Sequence, residues 1–348
     1  MRTLLYLSIL AGCAGPSSSS SDHPDAATRT HDAAMPIPDG PPAASTAIQI
    51  IVEPNGNKGS ELATAIAGAQ HSVYMTMYEL DSTPLVTALT NRASAGLDVQ
   101  VILDGSTTNK SFNTPAFDQL MSAGAKPVWS NPVFTYTHEK TVVIDGTVAW
   151  IMTMNGNTTS PIDNREYLAI DTDPDDVAEA TAIFKADHAM QSITPSGALV
   201  VANANARSKL VQLIDSATTT LDVEGEEFSD THSNGIVDAV SQAARRGVVV
   251  HVIVANGNID PTSVMDVTKA GGHVVMTGPT SGNGTASKPY IHAKAIVVDS
   301  TRGYVGSENF TAGSLGYNRE LGVIFDAPGE LAKVKTAIDT DFAAGVIQ

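Results

Sequence analysis

Residues 137–157 read THEKTVVIDGTVAWIMTMNGN, and residues 291–309 read IHAKAIVVDSTRGYVGSEN. In both, His-x-Lys opens a β-branched run, an Asp closes it, and a second apolar run returns to a hydroxyl residue and an Asn. The pattern is strand, turn and returning strand. Residues two apart on a strand share a face, so this reading sets His138 with Lys140 and His292 with Lys294 on one side of each hairpin. Thr153 with Asn155, and Ser307 with Asn309, repeat the arrangement on the returning strand. Each hairpin thus offers an imidazole, a cation, a hydroxyl and an amide to one spot. Asp145 and Asp299 lie an odd number of residues from their His, each just before a turn. There an Asp carboxylate bonds the backbone, so both are read as mainly structural.

Working outward, the chain is written twice. His138, Lys140, Asp145, Asn155, Asn164, Arg165 and Glu166 recur as His292, Lys294, Asp299, Asn309, Asn318, Arg319 and Glu320, every pair 154 positions apart. One His-x-Lys-x4-Asp match is weak; two in phase, each with the later Asn and Asn-Arg-Glu, are a strong signal. Upstream, AIQIIVEPN from residue 47, a helical stretch over 59–70, SVYMTMYEL, a helix over 83–95 and LDVQVILDG return as GALVVANAN from 197, a helix over 205–216, TTLDVEGEEF, a helix over 232–246 and GVVVHVIVANG. Short β-branched strands alternating with amphipathic helices predict an α/β fold with a largely buried sheet in each repeat. The repeats are bounded as 47–195 and 196–348.

The 348 residues carry a formal net charge of -17, with 42% hydrophobic and 16% charged residues, a soluble globular composition. That charge weighs against tight non-specific binding to a polyanion such as DNA. At the N-terminus, Arg2 and the apolar TLLYLSILA precede Leu10-Ala11-Gly12-Cys13. The stretch resembles the lipobox of bacterial lipoproteins, which implies lipidation of Cys13; an ordinary secretory signal is the other reading. Residues 1–13 are therefore set apart as leader. Residues 14–46, dominated by Pro, Ser, Asp and Ala, are expected to be a disordered tether. Cys13 is the only cysteine, so the folded part has no internal disulfide.

The paired motifs resemble the HKD motifs of the phospholipase D superfamily, and the likeness covers essentially all of residues 47–348. The resemblance implies two repeats, each a mixed sheet flanked by helices, packed about a pseudo-twofold axis to form one site. It implies a two-step phosphoryl transfer in which His138 attacks phosphorus and His292 serves as general acid and then base. Residue type fits: imidazole is the side chain that can be neutral in one copy and protonated in the other near neutrality. Lys140 and Lys294 would neutralise phosphate oxygens, with Asn155, Asn309 and Ser307 adding hydrogen bonds. Glu166 and Glu320 each sit 28 residues after their His, and the resemblance implies that they accept the proton of the second ring nitrogen. No metal or cofactor is called for, since lysines and imidazolium supply the positive charge.

The copies differ. Gly306-Ser307-Glu308-Asn309 keeps the family's Gly-Ser-x-Asn, whereas Met152-Thr153-Met154-Asn155 replaces the Gly; Met152 either packs into the sheet or narrows the phosphate pocket. Asp171–Asp176 looks like a calcium loop but lacks its Gly and Glu, so a helix cap is the better reading. The turn-rich approaches to the motifs, with Phe134, Tyr136 and Tyr290, are read as rim or as core filler. The expectation is a lipid-anchored envelope or exported enzyme, monomeric, that hydrolyses phospholipid head-group phosphodiesters. A nuclease of the same superfamily, a phosphatidyl transferase resembling cardiolipin synthase, and a binding protein on an inactive scaffold are the rivals.

Overall fold

The computed structural model describes residues 40, 42–280 and 284–348. The leader, Cys13 and most of the expected tether lie outside those residues. Repeat 1 runs β1 (Ile48–Glu53), α1 (Ser60–Gly68), β2 (Ser72–Met77), α2 (Thr83–Ser94), β3 (Asp98–Leu103), α3 (Lys110–Ser122), β4 (Lys126–Trp129), β5 (Lys140–Ile144), β6 (Val148–Met152), α4 (Ser160–Asp163), β7 (Asn164–Asp171) and α5 (Pro174–His188). Repeat 2 runs β8 (Val200–Val201), α6 (Ala206–Asp215), β9 (Thr220–Gly225), α7 (Ile236–Arg245), β10 (Val249–Ala255), α8 (Pro261–Ala270), β11 (His273–Thr277), β12 (Tyr290–Ile291), β13 (Lys294–Val298), β14 (Arg302–Gly306), α9 (Ala312–Tyr317), β15 (Leu321–Phe325), α10 (Pro328–Ala343) and β16 (Val346–Ile347).

The two sheets share one topology. Strand order is β4-β3-β2-β5-β6-β7-β1 in repeat 1 and β11-β10-β9-β13-β14-β15-β8 in repeat 2, where β16 extends the edge. β2, β3 and β4 are parallel, and β5 turns the sheet antiparallel. Each sheet is therefore mixed and flanked by helices, as the doubled pattern predicts. The motif strands are buried throughout, and after their opening Lys residues almost wholly apolar, because both faces are covered. Val143 of β5 and Val297 of β13 point into one shared central core. Val142 and Ile144 face the helices of repeat 1, while Ile296 and Val298 face those of repeat 2.

The central core joins the halves: Ile50, Ile151 and Tyr167 of the first sheet meet Ile253, Val305, Leu321 and Phe325 of the second, with Ile183 of α5 and Ile338 of α10. A fully buried aliphatic side chain contributes about 1.5–3 kcal/mol. A handful of them outweighs the ion pairs across the same boundary, whose Coulomb gain is largely offset by desolvation. Apolar burial holds the repeats together, and the polar groups fix their register.

Several local features depart from the expected spans. α7 starts at Ile236 because the Asp230 carboxylate accepts the Ile236 amide at 3.1 Å, after a turn in which Asn234 has φ 62. β8 is two residues long because Asn205 Oδ1 takes the Val201 amide at 2.8 Å. The packed part begins before residue 47, since Ser45 is buried and its amide bonds the Ile324 carbonyl at 2.8 Å. In the acidic stretch, Asp173 caps α5 by accepting from the amides of Asp175 and Asp176. Among the described residues no helix is long and apolar enough to cross a membrane.

The motif aspartates act as fasteners at a distance. Asp145, at φ 54, accepts from the amides of Gln70, His71 and Ser72 at 2.9, 2.7 and 2.9 Å. Asp299 likewise takes those of Thr218, Thr219 and Thr220 at 2.9, 2.8 and 2.9 Å. Each carboxylate thus pins the entry to the neighbouring strand rather than its own turn. Partial burial pushes both carboxyls up, but these donors, joined at Asp299 by the hydroxyls of Thr218 and Thr219 at 2.7 Å, more than offset it and hold both below the ordinary Asp range.

Candidate active site

The approach to each motif rests on the other repeat. The Arg319 carbonyl accepts the amides of His138 (2.9 Å) and Glu139 (3.0 Å), and the Arg319 amide donates to the Tyr136 carbonyl at 2.9 Å. In the mirrored position β12 runs parallel to the start of β7, with Tyr290 opposite Asn164 and Ile291 opposite Arg165. β5 and β13 begin only at Lys140 and Lys294. The imidazoles are therefore not aimed by strand alternation, as the sequence reading has it; the backbone of the opposite repeat positions them.

This crossing exchanges the Glu partners. His138 Nδ1 lies 2.8 Å from Glu320 Oε2, and His292 Nδ1 lies 2.9 Å from Glu166 Oε1. Neither Glu serves the His that precedes it by 28 positions. Glu166 is itself held by Thr153 Oγ1 at 2.5 Å and Asn164 Nδ2 at 3.1 Å. Glu320 is held by Ser314 Oγ at 2.7 Å and Asn318 Nδ2 at 3.0 Å. The arginines of the repeated Asn-Arg-Glu cross in the same way. Arg165 grips Asp341 of α10 at 2.5 and 3.2 Å, and Arg319 grips Asp187 of α5 at 2.8 and 3.1 Å.

The lysines turn back on their own motifs. Lys140 Nζ donates to the His138 carbonyl at 2.5 Å, and Lys294 Nζ to the His292 carbonyl at 2.6 Å. Both lysines and both Glu partners are wholly buried, whereas His138, His292, Asn155 and Asn309 retain 7, 7, 7 and 9% exposure. Rings and amides thus reach the site's opening, with the charges behind them. Among the described residues neither Asn155 Oδ1 nor Asn309 Oδ1 has a hydrogen-bond partner, as expected of polar atoms that await a ligand. Burial pushes His138 down to about 4, against the opposing pull of Glu320, so its ring is neutral over the ordinary pH range. Burial likewise pushes Lys140 down to about 8. Burial pushes Glu320 up, but the His138 hydrogen bond and the Lys140 charge more than offset it and keep the carboxyl below the usual Glu range.

Other sequence-derived candidates fall away from the opening. The Ser307 hydroxyl is fully buried and accepts the Leu321 amide at 3.1 Å, which ties β14 to β15 instead of facing a phosphate. Thr153 orients Glu166 as described. Met152 is fully buried in the repeat 1 core, so it packs into the sheet. Tyr136 stands edge-on to Tyr78, and Phe134 covers the Arg319 guanidinium, its ring centre 4.3 Å from Cζ.

The structure adds two residues that the motif reading passed over. Met77 lies opposite Lys140 and Gly225 opposite Lys294, so the next residues, Tyr78 and Glu226, are structural equivalents. Tyr78 presents its ring edge-on to His138, 4.6 Å between centres, and its face to Lys140 Nζ at 4.9 Å. Glu226 Oε2 instead meets Lys294 Nζ at 2.9 Å and His292 Nε2 at 3.5 Å. One half of the site has an aromatic wall where the other has a carboxylate.

Fold and site together define a two-repeat α/β protein with one shared, pseudo-symmetric His, Lys, Asn and Glu constellation. A family model described as "Cardiolipin synthase, PLD-like domain" matches residues 62–188 and 210–343, and the chain belongs to that PLD-like family. No curated protein sequence matches the chain. Among solved structures it is similar to the phosphatidylserine synthase of Haemophilus influenzae Rd KW20, at 12% identity and TM-score 0.65, covering 88% of this chain and 89% of that one. It is also similar to polyphosphate kinase from Porphyromonas gingivalis, at 16% identity and TM-score 0.66 over 84% of this chain, although it spans only 46% of the kinase. A phospholipase D family member, Nuc from Salmonella typhimurium, matches 43% of this chain and 97% of its own at 22% identity and TM-score 0.37. At these identities the first two likenesses speak for the fold alone.

Proposed function

We propose that the protein is a phospholipase D-type phosphodiesterase that hydrolyses phospholipid head-group esters through a phosphohistidine. The observation that carries this reading is the exchanged pair of His–Glu contacts, each holding one ring nitrogen and leaving Nε2 as the reacting atom. In the proposed reaction His138 Nε2 attacks phosphorus, the P–O bond to the alcohol breaks, and His292 delivers a proton to the departing oxygen. A water then gives its proton to His292 and attacks phosphorus, breaking the P–N bond and returning His138. Lys140, Lys294, Asn155 and Asn309 stabilise the charge that builds on the phosphoryl oxygens.

Phospholipid is favoured as substrate by membership of a family described by cardiolipin synthase and by the formal charge of -17, which opposes polyanion binding. The reading also includes an envelope location through a lipid anchor at Cys13; Cys13→Ser should then release the protein from membranes, and unchanged membrane association would remove the anchor. The activity test incubates the purified chain with phosphatidylcholine vesicles and, separately, single-stranded DNA, and analyses products with and without added glycerol. Phosphatidic acid and free head group support hydrolysis. Phosphatidylglycerol as the main product would make it a transferase, and cleavage of DNA alone would make it a nuclease.

A further inference from the structure

We infer that Glu226 is a positioning residue that gives the site its polarity: it engages Lys294, faces Nε2 of His292, and so commits His292 to proton donation and the phosphate to the His138 side. The inference rests on the phosphohistidine reading above and concerns which imidazole does which task.

Three observations carry it. First, the lysines are unequally engaged. Lys294 has a carboxylate at 2.9 Å, whereas Lys140, among the described residues, has the His138 carbonyl at 2.5 Å and the Tyr78 ring but no carboxylate at ion-pair distance. An incoming phosphodiester anion meets an uncommitted cation at Lys140 and a carboxylate in front of Lys294, so it settles nearer His138. Second, His292 has a carboxylate oxygen at each nitrogen, Glu166 at Nδ1 (2.9 Å) and Glu226 at Nε2 (3.5 Å). A doubly protonated ring there has a hydrogen-bond acceptor at Nδ1 and a carboxylate at ion-pair distance from Nε2. His138 has Glu320 at Nδ1 and the ring of Tyr78 alongside. Third, Glu226 is held in place: Tyr290 donates its hydroxyl to Oε1 at 2.9 Å, Asn258 Nδ2 lies 3.1 Å from that hydroxyl, and Asn309 Nδ2 lies 3.4 Å from Oε2.

The groups facing this carboxylate are Lys294 on β13, His292, Asn309 after β14, and Tyr290 on β12, with His138, Lys140 and Glu227 in its field. Burial pushes Glu226 up, yet Lys294 and His292 more than offset that and keep it well below the usual Glu range, so it is an anion at every working pH.

The test uses the full chain and the variants Glu226→Gln and Glu226→Asp on two phosphodiesters, one leaving as p-nitrophenol and one as an alkyl alcohol. A nitrophenolate departs without a proton, whereas an alkoxide needs one. Glu226→Gln should cost about 10²-fold or more on the alkyl ester and less than about 10-fold on the nitrophenyl burst. It should also move the alkaline limb of the alkyl-ester profile down by more than that of the nitrophenyl burst, which needs no proton donor and reports the Lys140 charge alone. Glu226→Asp, which keeps the charge, should recover part of the loss, and trapping should label His138 in the wild type. Equal losses on both esters, an unmoved alkaline limb, or label on wild-type His292 would overturn the inference. A wild type that turns over but forms no phosphohistidine would instead remove the covalent reading and the inference with it.

Discussion

The exchanged Glu partners make an in-trans prediction that the order of residues in the chain does not suggest. Glu320 lies in repeat 2 but holds the proposed nucleophile of repeat 1, so Glu320→Gln should slow attack by His138. As the ring takes up phosphorus it gains positive charge, and the carboxylate 2.8 Å from Nδ1 stabilises that charge. Unit charges about 4 Å apart at an effective dielectric of about 20 interact by about 4 kcal/mol, an upper bound here. A hydrogen bond to a charged group contributes about 1.5–3 kcal/mol. The lower range corresponds to about a 10- to 100-fold slower phosphorylation step. Of the two imidazoles Glu166 touches His292 and not His138, so Glu166→Gln should leave the burst within about threefold and slow later turnover by about 10- to 100-fold. Stopped-flow release of p-nitrophenol separates the two: a slow burst for Glu320→Gln, and a normal burst followed by an accumulated phosphoenzyme for Glu166→Gln. If Glu320→Gln spares the burst while Glu166→Gln slows it, the exchanged assignment of roles is wrong.

Further outcomes follow from the same geometry. With burial pushing His138 down to about 4, the neutral nucleophile is lost only as pH falls through that value; with Lys140 pushed down to about 8, its charge fades above it. A pH–rate series should therefore decline below about 4–5 and again above about 8, and a flat profile would count against the mechanism. The native state also binds fewer protons at His138 than the unfolded chain between about 4 and 6.5, so stability should fall as pH drops through that window in acid denaturation. Asp341→Ala strands the buried Arg165 guanidinium and should cost about 3–5 kcal/mol in urea unfolding; a loss below about 1 kcal/mol would show that the crossing pair is dispensable. Asp145→Ala and Asp299→Ala should lower the melting midpoint yet keep a normal burst at low temperature, and loss of the burst in a folded variant would make the aspartates catalytic.

Much of this was legible because the repeat is strict where the site is. His138, Lys140, Asn155 and Glu166 each have a counterpart 154 positions on, and so do Ser160 and Asp187, in Ser314 and Asp341. The last four carry no motif, so their spacing alone gives them no role; in the structure Ser314 holds Glu320, Asp341 and Asp187 hold the arginines, and Ser160 accepts from Asn164. Glu226 was hidden for a different reason. It corresponds to Tyr78, 148 positions earlier, because length differences fall between this strand and the motif, and a Tyr and a Glu do not look alike. The exchange of Glu partners could not be read at all. Spacing along a chain states which residues recur, but not which copy a side chain meets, and here backbone pairing of Thr137 with Arg319 and Ile291 with Arg165 decides that. Ser307 is ambiguous in sequence because a hydroxyl beside a motif Asn serves a backbone amide as readily as a phosphate.

The Tyr78 and Glu226 positions bear on why the two copies share one polypeptide. Two identical halves associating as separate molecules must present the same side chain on both sides of their axis, aromatic on both or acidic on both. Joined in one chain, the copies are free to diverge at a single position while the crossed contacts keep everything around it matched. Covalent linkage lets a symmetric frame carry an asymmetric charge.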